Sequence, residues 1–195
     1  VIYYNLPEVY IDSEITINIK NADNQLIRTI TSSENKNYKR QDGGPPPSPT
    51  LSKQKGLNRF VWDLRYPVMS GVDGVYIEAS YRGHKVSPGT YTLELNIDSK
   101  TYSTTATVLD HPLFTISKEQ FDNYDAFMTS MEESLDEMHA SVNQLNSITS
   151  QLKSILPHLE DDDLINKGNT LIDKIMAWDS EMVQRKSKAY DDVEN

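Results

Sequence analysis

The chain has 195 residues, a net charge of −10 and an isoelectric point near 4.8, and this acidity argues against nucleic acid or an anionic membrane surface as a partner. It contains no cysteine, which excludes disulfides, thiolate catalysis and thiolate metal sites. No apolar run approaches the roughly 20 residues needed to span a bilayer, so we expect no membrane insertion.

The first strand-like stretch is the opening itself, VIYYNLPEVY, which begins without a methionine or a signal peptide. We expect a chain that starts in mid-strand to be an excised or processed piece of a longer protein. Further on, Ile15, Ile17 and Ile19 alternate with polar residues, which is the period of a half-buried strand. The stretch NADNQ predicts a turn after that strand, and residues 26–30 predict its hairpin partner.

Residues 35–55 predict a long exposed loop. The stretch has no periodicity and contains GGPPPSP, which favours polyproline conformation over a regular strand. Such a loop serves either as a spacer or as a ligand for an aromatic groove.

Residues 56–67, GLNRFVWDLRYP, have the alternation of a strand that is buried on one face. One parity comprises Phe60, Trp62, Leu64 and Tyr66, and the other comprises Arg59, Asp63 and Arg65. We therefore predict that Phe60, Trp62 and Leu64 of the first set fill a core. The charged set would decorate an outer face or meet a neighbouring domain.

Two further strand signals complete the β half. Residues 75–83, VYIEASYRG, predict one strand, and residues 86–110 predict a hairpin that opens with a type II turn at Pro88-Gly89. The inward positions of this hairpin are Tyr91, Leu93, Leu95 and Ile97. About seven short strands predict an immunoglobulin-like antiparallel β-sandwich over residues 1–112, without the cysteine pair of antibody domains.

From Ser117 onward the apolar period becomes that of a helix. Ser117 and Gln120 predict a capping box, and Pro157 predicts the end of the helix. Its heptad seam comprises Phe121, Tyr124, Met128, Met131, Leu135, Met138, Val142, Leu145, Leu152 and Ile155. A second helix running back has a seam of Leu164, Leu171, Ile175, Trp178 and Met182.

These two seams predict a long antiparallel helical hairpin over residues 113–195, truncated relative to its full length. Two helices bury little apolar surface by themselves. The hairpin therefore needs a third helix, the sandwich or a protein partner along its seam.

Few residues are candidates for chemistry. The histidines are His84, His111, His139 and His158. None lies three or four residues from another, and we expect each in a turn, at an element end or on a helix surface rather than on a metal. The acidic run at residues 160–163 lacks the spacing of a calcium loop and suits the N-terminus of a helix.

Aromatic residues offer one alternative, a platform for sugar. Its members would be Trp62, Tyr66, Tyr76 and Tyr81. Tyr76 and Tyr81 have opposite parities on one predicted strand, however, so they cannot share a flat face. No hydrolase or phosphate-loop motif is present, and we predict no catalytic, cofactor-binding or metal-binding residue and no cofactor.

Two stretches resemble a known family. GLNRFVWDLRYP, followed by VSPGTYTLELNIDSKTYSTTATVLDHP, is similar to the region downstream of the sortilin-like β-propeller in large exported bacterial proteins, which are usually labelled glycosyl hydrolases with BNR repeats. The β half also resembles the immunoglobulin-like domain of flagellar hook-capping proteins, with LIRTI, FVWD and PGTY in the same order. The resemblance covers roughly residues 1–155.

The resemblance implies an upstream propeller in the same protein and export to the periplasm, the outer membrane or the outside of the cell. The hydrolase label belongs to the propeller, so no catalytic residue is carried over and we expect no enzyme here. Our hypothesis is a non-catalytic accessory region of such a protein. Alternatives are a glycan- or peptide-binding module, acting through exposed aromatics or loop 35–55, and a glycosidase within these residues.

Overall fold

The computed structural model describes residues 1–8, 10, 12–36, 38, 46–76 and 80–188. Within them the fold is α+β, with two antiparallel sheets followed by a long helix and a second helix. The chain divides into two compact units. The first comprises Val1–Tyr38, Pro47–Val68 and Arg82–Met131, and the described residues of the second are 46, 69–76, 80–81 and 132–188.

This division does not coincide with the predicted break between residues 112 and 113. Residues 69–76 and 80–81 lie inside the β half of the sequence but pack with the later helical residues. Conversely, the helical residues up to Met131 pack with the sheets. The two units therefore alternate along the chain instead of following one another.

The first unit contains a two-stranded and a four-stranded sheet, and all neighbouring strands are antiparallel. The smaller sheet pairs β1 (Ile2–Leu6) with β4 (Gly56–Phe60). The larger sheet has the order β3-β2-β5-β6, with β2 at Ile15–Lys20, β3 at Leu26–Thr31, β5 at Gly89–Ile97 and β6 at Lys100–Val108. Six strands are present in the described part of the chain, one fewer than the pattern predicts.

Both sheets contribute to one apolar core. Its buried members are Tyr4, Leu6, Ile15, Ile17, Ile19, Ile27, Ile30, Leu51, Phe60, Trp62, Val86, Tyr91, Leu93 and Ile97. The alternation of β2 is confirmed, because Ile15, Ile17 and Ile19 are fully buried while their neighbours are partly exposed.

Two tight turns depend on backbone with positive φ. Asn24 has φ 62° at the turn between β2 and β3, which confirms the predicted hairpin. Asp98 and Ser99 have φ 46° and 66° between β5 and β6, as a type I′ turn requires. The predicted type II turn at Pro88-Gly89 is wrong: Gly89 has φ 157° and already begins β5, whereas a type II turn needs φ near about 80° there.

The strand predicted for residues 56–67 ends at Phe60. Leu64 adopts φ 57° and is 38% exposed, so its assignment to the core is wrong. At this point the chain turns and pairs with residues 84–86: Tyr66 N–H donates to His84 O and Val86 N–H to Leu64 O. The positive φ at Leu64 breaks the parity that the sequence pattern assumes.

Two other predicted segments are partly outside the described residues. Of the strand predicted at 75–83, residues 77–79 are not described, and the remainder forms no strand. Of the loop predicted at 35–55, residues 37 and 39–45 are not described. Residues 46–50 are exposed, but Leu51 is buried in the core and its N–H donates to Thr31 O at 2.9 Å.

The helices are α1 at Lys118–Ile155 and α2 at Asp162–Met182, joined through a 3₁₀ turn at Leu156–His158. The capping box is confirmed, because Ser117 N–H donates to Gln120 Oε1 and Gln120 N–H donates to Ser117 Oγ. Helix α1 ends at Ile155, two residues before Pro157, which confirms the predicted end of the helix.

The heptad seams describe the buried helix faces only in part. On α1, Tyr124, Met131 and Ile155 are exposed, while His139 and Thr149 are buried beside Val142. On α2, the seam residues Leu164, Leu171 and Met182 are exposed, and Ile172, Ile175 and Asp179 are buried. These buried positions are three, four or seven residues apart, so each set lies on one helix face, and that face is only partly the predicted seam.

The core of the second unit is completed by a loop. Val72 and Val75 pack with Val142 of α1 and with Trp178 and Val183. This loop provides part of the support that two helices need.

Polar side chains of α1 bind the backbone of the same loop. Ser70 N–H donates to Asp136 Oδ1 at 2.6 Å, and His139 Nδ1 donates to Ser70 O at 2.7 Å. Asn143 accepts from Asp73 N–H and donates to Gly71 O. The loop backbone thus explains the burial of His139, whereas the buried Thr149 hydroxyl has no hydrogen-bond partner among the described residues.

Candidate functional site

The histidines do not all lie where the sequence pattern places them. His139 is 6% exposed on α1, so its expected position on a helix surface is wrong, whereas His84 lies between regular elements, as expected, but is also buried, with 4% of its surface exposed. His111 and His158 are exposed. Within the described ranges, no group of three or more histidine, aspartate or glutamate side chains could hold a metal ion.

His84 belongs to a cluster that has the elements of acid–base chemistry. Its Nε2 lies 3.0 Å from Asp125 Oδ1, and the Tyr66 hydroxyl donates to Asp125 Oδ2 at 3.0 Å. Tyr66 stacks on the imidazole at 4.1 Å between ring centroids, and Tyr124 meets it edge-on at 5.8 Å. Because the ring is covered, a substrate has no access to its nitrogen atoms, and the cluster ties the first turns of α1 to the β-sheet unit.

Besides burial, the negative charge of Asp125 contributes to a raised pKa of the nearby Tyr91 hydroxyl. Burial, and secondly the negative charge of Asp125, raises the pKa of Tyr91 to about 12. The Tyr91 hydroxyl donates to Ser87 O at 2.6 Å, which keeps the neutral phenol satisfied inside the core.

Three of the four aromatic residues considered for a sugar platform make contacts inside the protein, and the fourth, Tyr76, is half-buried. Trp62 is 7% exposed, meets Tyr91 edge-on and donates from Nε1 to Arg65 O at 3.3 Å, which confirms its core position. Tyr66 covers His84, and Tyr81 packs edge-on against His139. The charged residues of the opposite parity lie outside the core, where Asp63 binds Arg28 at 2.7 Å.

The acidic run at residues 160–163 caps a helix, as predicted. Asp161 is the N-cap of α2, and its carboxylate accepts from the backbone N–H groups of Asp163 and Leu164. This geometry satisfies two N–H groups that have no partner inside the helix.

The first unit contains an apolar groove of about 480 Å³ that is open to a ligand. It lies between β1 on one side and β5 and β6 on the other. Its lining residues are Ile2, Tyr3, Tyr4, Asn5, Leu6, Pro7, Tyr10, Ile17, Leu93, Leu95, Ile97, Asp98, Lys100, Tyr102, Ser103 and Thr104. We call it the β1 groove.

The groove exists because the two sheets differ in width. The larger sheet has four strands and the smaller has two, so part of the inner face of the larger sheet is uncovered. Tyr102 pairs with Leu95 and Thr104 with Leu93, which places Tyr102 and Thr104 on the core-facing side. Tyr102 is nevertheless 57% exposed.

The rim of the groove carries little charge. Asp98 and Lys100 are its charged lining residues, and they flank one end at the turn between β5 and β6. Tyr3 is 60% exposed on the β1 side. The groove therefore has an apolar floor and phenol rims, which are features of a binding surface, and β1 has no strand on its outer side within the described residues.

Sequence reasoning missed this groove. The signal that could have found it is Tyr102, which has core parity on β6 although the strand KTYSTTATV has little other apolar content. An apolar ring on an otherwise polar edge strand marks a face that is incompletely covered.

Comparisons with known proteins add no relative: no protein-family model, no curated protein and no solved structure matches this chain. Among the described residues, no helix combines the length and apolar character that crossing a membrane requires.

Proposed function

We propose that this chain is a non-catalytic accessory region of a larger exported bacterial protein that carries a sortilin-like propeller, and that it works by binding another polypeptide through the β1 groove. The observation that carries the proposal is the groove itself. An apolar inner face left uncovered beside a free strand edge is a binding surface. The resemblance of residues 1–155 to the region after such propellers supplies the context.

The architecture proposed for this region is an immunoglobulin-like sandwich followed by a long antiparallel helical hairpin. Two antiparallel sheets that share one core support the first part. Val142 of α1 packs with Trp178 of α2, and Leu156 lies against Gly168, which supports the second part. The exposed seam residues Leu164 and Leu171 are available for a further protein partner.

A calorimetric comparison tests the accessory role. The chain is measured alone and joined to the propeller of its parent protein, each time as wild type and with Tyr102→Glu. We expect the melting temperature of the β unit to rise on joining, and the rise to vanish with Tyr102→Glu, because a charge then lies in the apolar groove. Independent melting without a shift would refute the packing role. A gene whose reading frame encodes no propeller upstream of this chain would refute the proposal that the chain is part of a propeller protein.

Thr105→Glu is the matched control for that experiment. Thr105 lies on the same strand and is exposed, but it has the opposite parity and so lies on the outer face of the sheet. It introduces the same charge without entering the groove. The temperature shift should survive in this variant.

A carbohydrate-binding module is the second candidate, and the exposed phenols of Tyr3 and Tyr102 at the groove favour it. Isothermal titration with an oligosaccharide panel tests it. Binding that is lost in Tyr3→Ala and Tyr102→Ala would support it, and no binding at millimolar sugar would remove it. A glycosidase within these residues is tested by chromogenic glycosides, and no hydrolysis across the panel would exclude it.

A further inference from the structure

We propose that the β1 groove accepts one extended segment of a partner polypeptide, which adds as a third strand to the free edge of β1. The inference rests on the proposed function as an interaction region and names the form of its partner. It follows from the free edge, the uncovered sheet, the space available and the charge of the groove.

The first argument is the unpaired edge of β1. Within the described residues, β1 pairs with β4 on one side and with no strand on the other. A strand edge presents N–H and C=O groups at the spacing that another extended chain can pair with. The groove lies along this edge, since every residue of β1 lines it.

The second argument is the surface that an added strand would cover. Neighbouring strands in a sheet are about 4.8 Å apart, and packed sheets are about 10 Å apart. A strand beside β1 would therefore lie over β5 and β6, where Leu95 and Tyr102 are only partly covered. Its inward side chains would complete the core that the narrower sheet leaves open.

The third argument excludes a second copy of this chain as the occupant. If two copies paired through β1, the second would bring its own four-stranded sheet beneath its β1. That sheet would need the space that Tyr102, Ser103 and Thr104 of β6 already occupy beside the groove. A single extended strand has no second layer and fits without this clash.

The fourth argument concerns charge. The chain has a net charge of −10, yet the groove has one acid and one base, both at the end near Asp98 and Lys100. A strand that enters it meets no charged partner over the length of β1, which is five residues. The occupant is therefore an uncharged segment of about this length with apolar side chains at alternate positions.

A phage-displayed library of linear dodecapeptides, panned on the full chain, supplies the probe. We expect enriched peptides with apolar residues at i, i+2 and i+4 and without charge between them. Synthetic copies should bind Thr105→Glu like the wild type and Tyr102→Glu at least tenfold more weakly. Circular dichroism and hydrogen exchange of β2 and β5 check that both variants are folded.

Backbone methylation separates strand addition from simple pocket binding. A copy of the best peptide with N-methyl groups at alternate residues keeps every side chain but loses the N–H groups of one edge. We expect affinity to fall about tenfold or more for the methylated edge that faces β1, and little when the methyl groups are on the other edge. Hydrogen exchange should show new protection of β1 amides with the unmodified peptide.

Each outcome decides the inference. Equal binding of both methylated peptides, or no new protection of β1, would overturn strand addition while leaving the groove as a binding site. No enriched peptide, or binding of oligosaccharides instead, would overturn it as well. The proposed accessory role fails separately, through the absence of the Tyr102-dependent melting shift on joining the propeller.

Discussion

Replacing Trp62 tests whether the densest aromatic stretch of the sequence builds a core or a ligand site. Trp62 is 7% exposed, meets Tyr91 edge-on at 5.6 Å between ring centroids, and donates to Arg65 O. Truncating a buried tryptophan to alanine costs about 3–5 kcal/mol. Of this, the aromatic pair accounts for about 0.5–1.5 kcal/mol and the hydrogen bond for about 1 kcal/mol.

We therefore expect Trp62→Ala to lower the free energy of unfolding of the β unit by about 4 kcal/mol, a large part of the 5–15 kcal/mol that domains usually have. Trp62→Phe keeps an aromatic ring in the core and loses the indole N–H, so it should cost about 1–2 kcal/mol. Urea-dependent hydrogen exchange of β2 and β5, read by mass spectrometry, measures both values without the fluorescence of the removed residue.

The control is Val61→Ala. Val61 is the adjacent residue and is 49% exposed, so its truncation should change stability by no more than about 0.5 kcal/mol. The core interpretation is refuted if Trp62→Ala costs less than about 1 kcal/mol, which is below the range for a cavity. Iodide quenching of Trp62 fluorescence in a Trp178→Phe background would also refute it.

Three further changes have defined outcomes. Gly83→Ala should destabilise the β unit by about 1–3 kcal/mol, seen as a lower melting temperature, because its Cβ would lie 2.5 Å from Pro67 O; an unchanged melting temperature would contradict this. The pKa of Tyr91 is raised from 10.0 to about 12, so the unfolded state ionises first and the free energy of unfolding should fall as pH rises from about 10 to about 12. Tyr91→Phe should make the urea midpoint less dependent on pH over that range, and an identical slope would count against the assignment. Arg185→Ala removes the two hydrogen bonds of 2.5 and 2.6 Å that the buried Asp179 carboxylate accepts. It should lower the free energy of unfolding by about 1–3 kcal/mol and make hydrogen exchange in residues 72–75 faster. Arg185→Lys should recover only part of the lost stability.

The parts of the fold that depend on local pattern could be predicted from the sequence. The alternation of β2, the capping box at Ser117 and the cap at Asp161 are all confirmed. Each depends on residues within a few positions of one another. The core position of Trp62 belongs to the same group, because parity with Phe60 is a local property.

The parts that were missed depend on distant residues or on unusual backbone. Leu64 has a positive φ that no side-chain pattern indicates. His84 is buried because Asp125, 41 residues later, supplies its partner, and His139 because Ser70, 69 residues earlier, accepts its hydrogen bond.

The β1 groove was missed because, in the described part of the chain, it arises where a two-stranded sheet faces a four-stranded one, and Tyr102 on the largely polar β6 is its one local sign. The sequence of β1 and the sequence of β6 each predict a strand correctly, but neither states which strand lies beside it. The width of a sheet is a property of tertiary pairing, and it became visible only when β1 and β6 were found on opposite sides of one uncovered face.

The loop at residues 69–76 also sets an order for events during synthesis. Its backbone groups leave the ribosome 66 to 72 residues before the α1 side chains that bind them. At about 5–20 residues per second, this delay lasts roughly 3–14 seconds. During this delay, Val72 and Val75 have no helix to pack against. A translational pause before Asp136 would therefore lengthen the time for which these two apolar side chains are exposed on the nascent chain, where chaperones and other nascent chains can bind them.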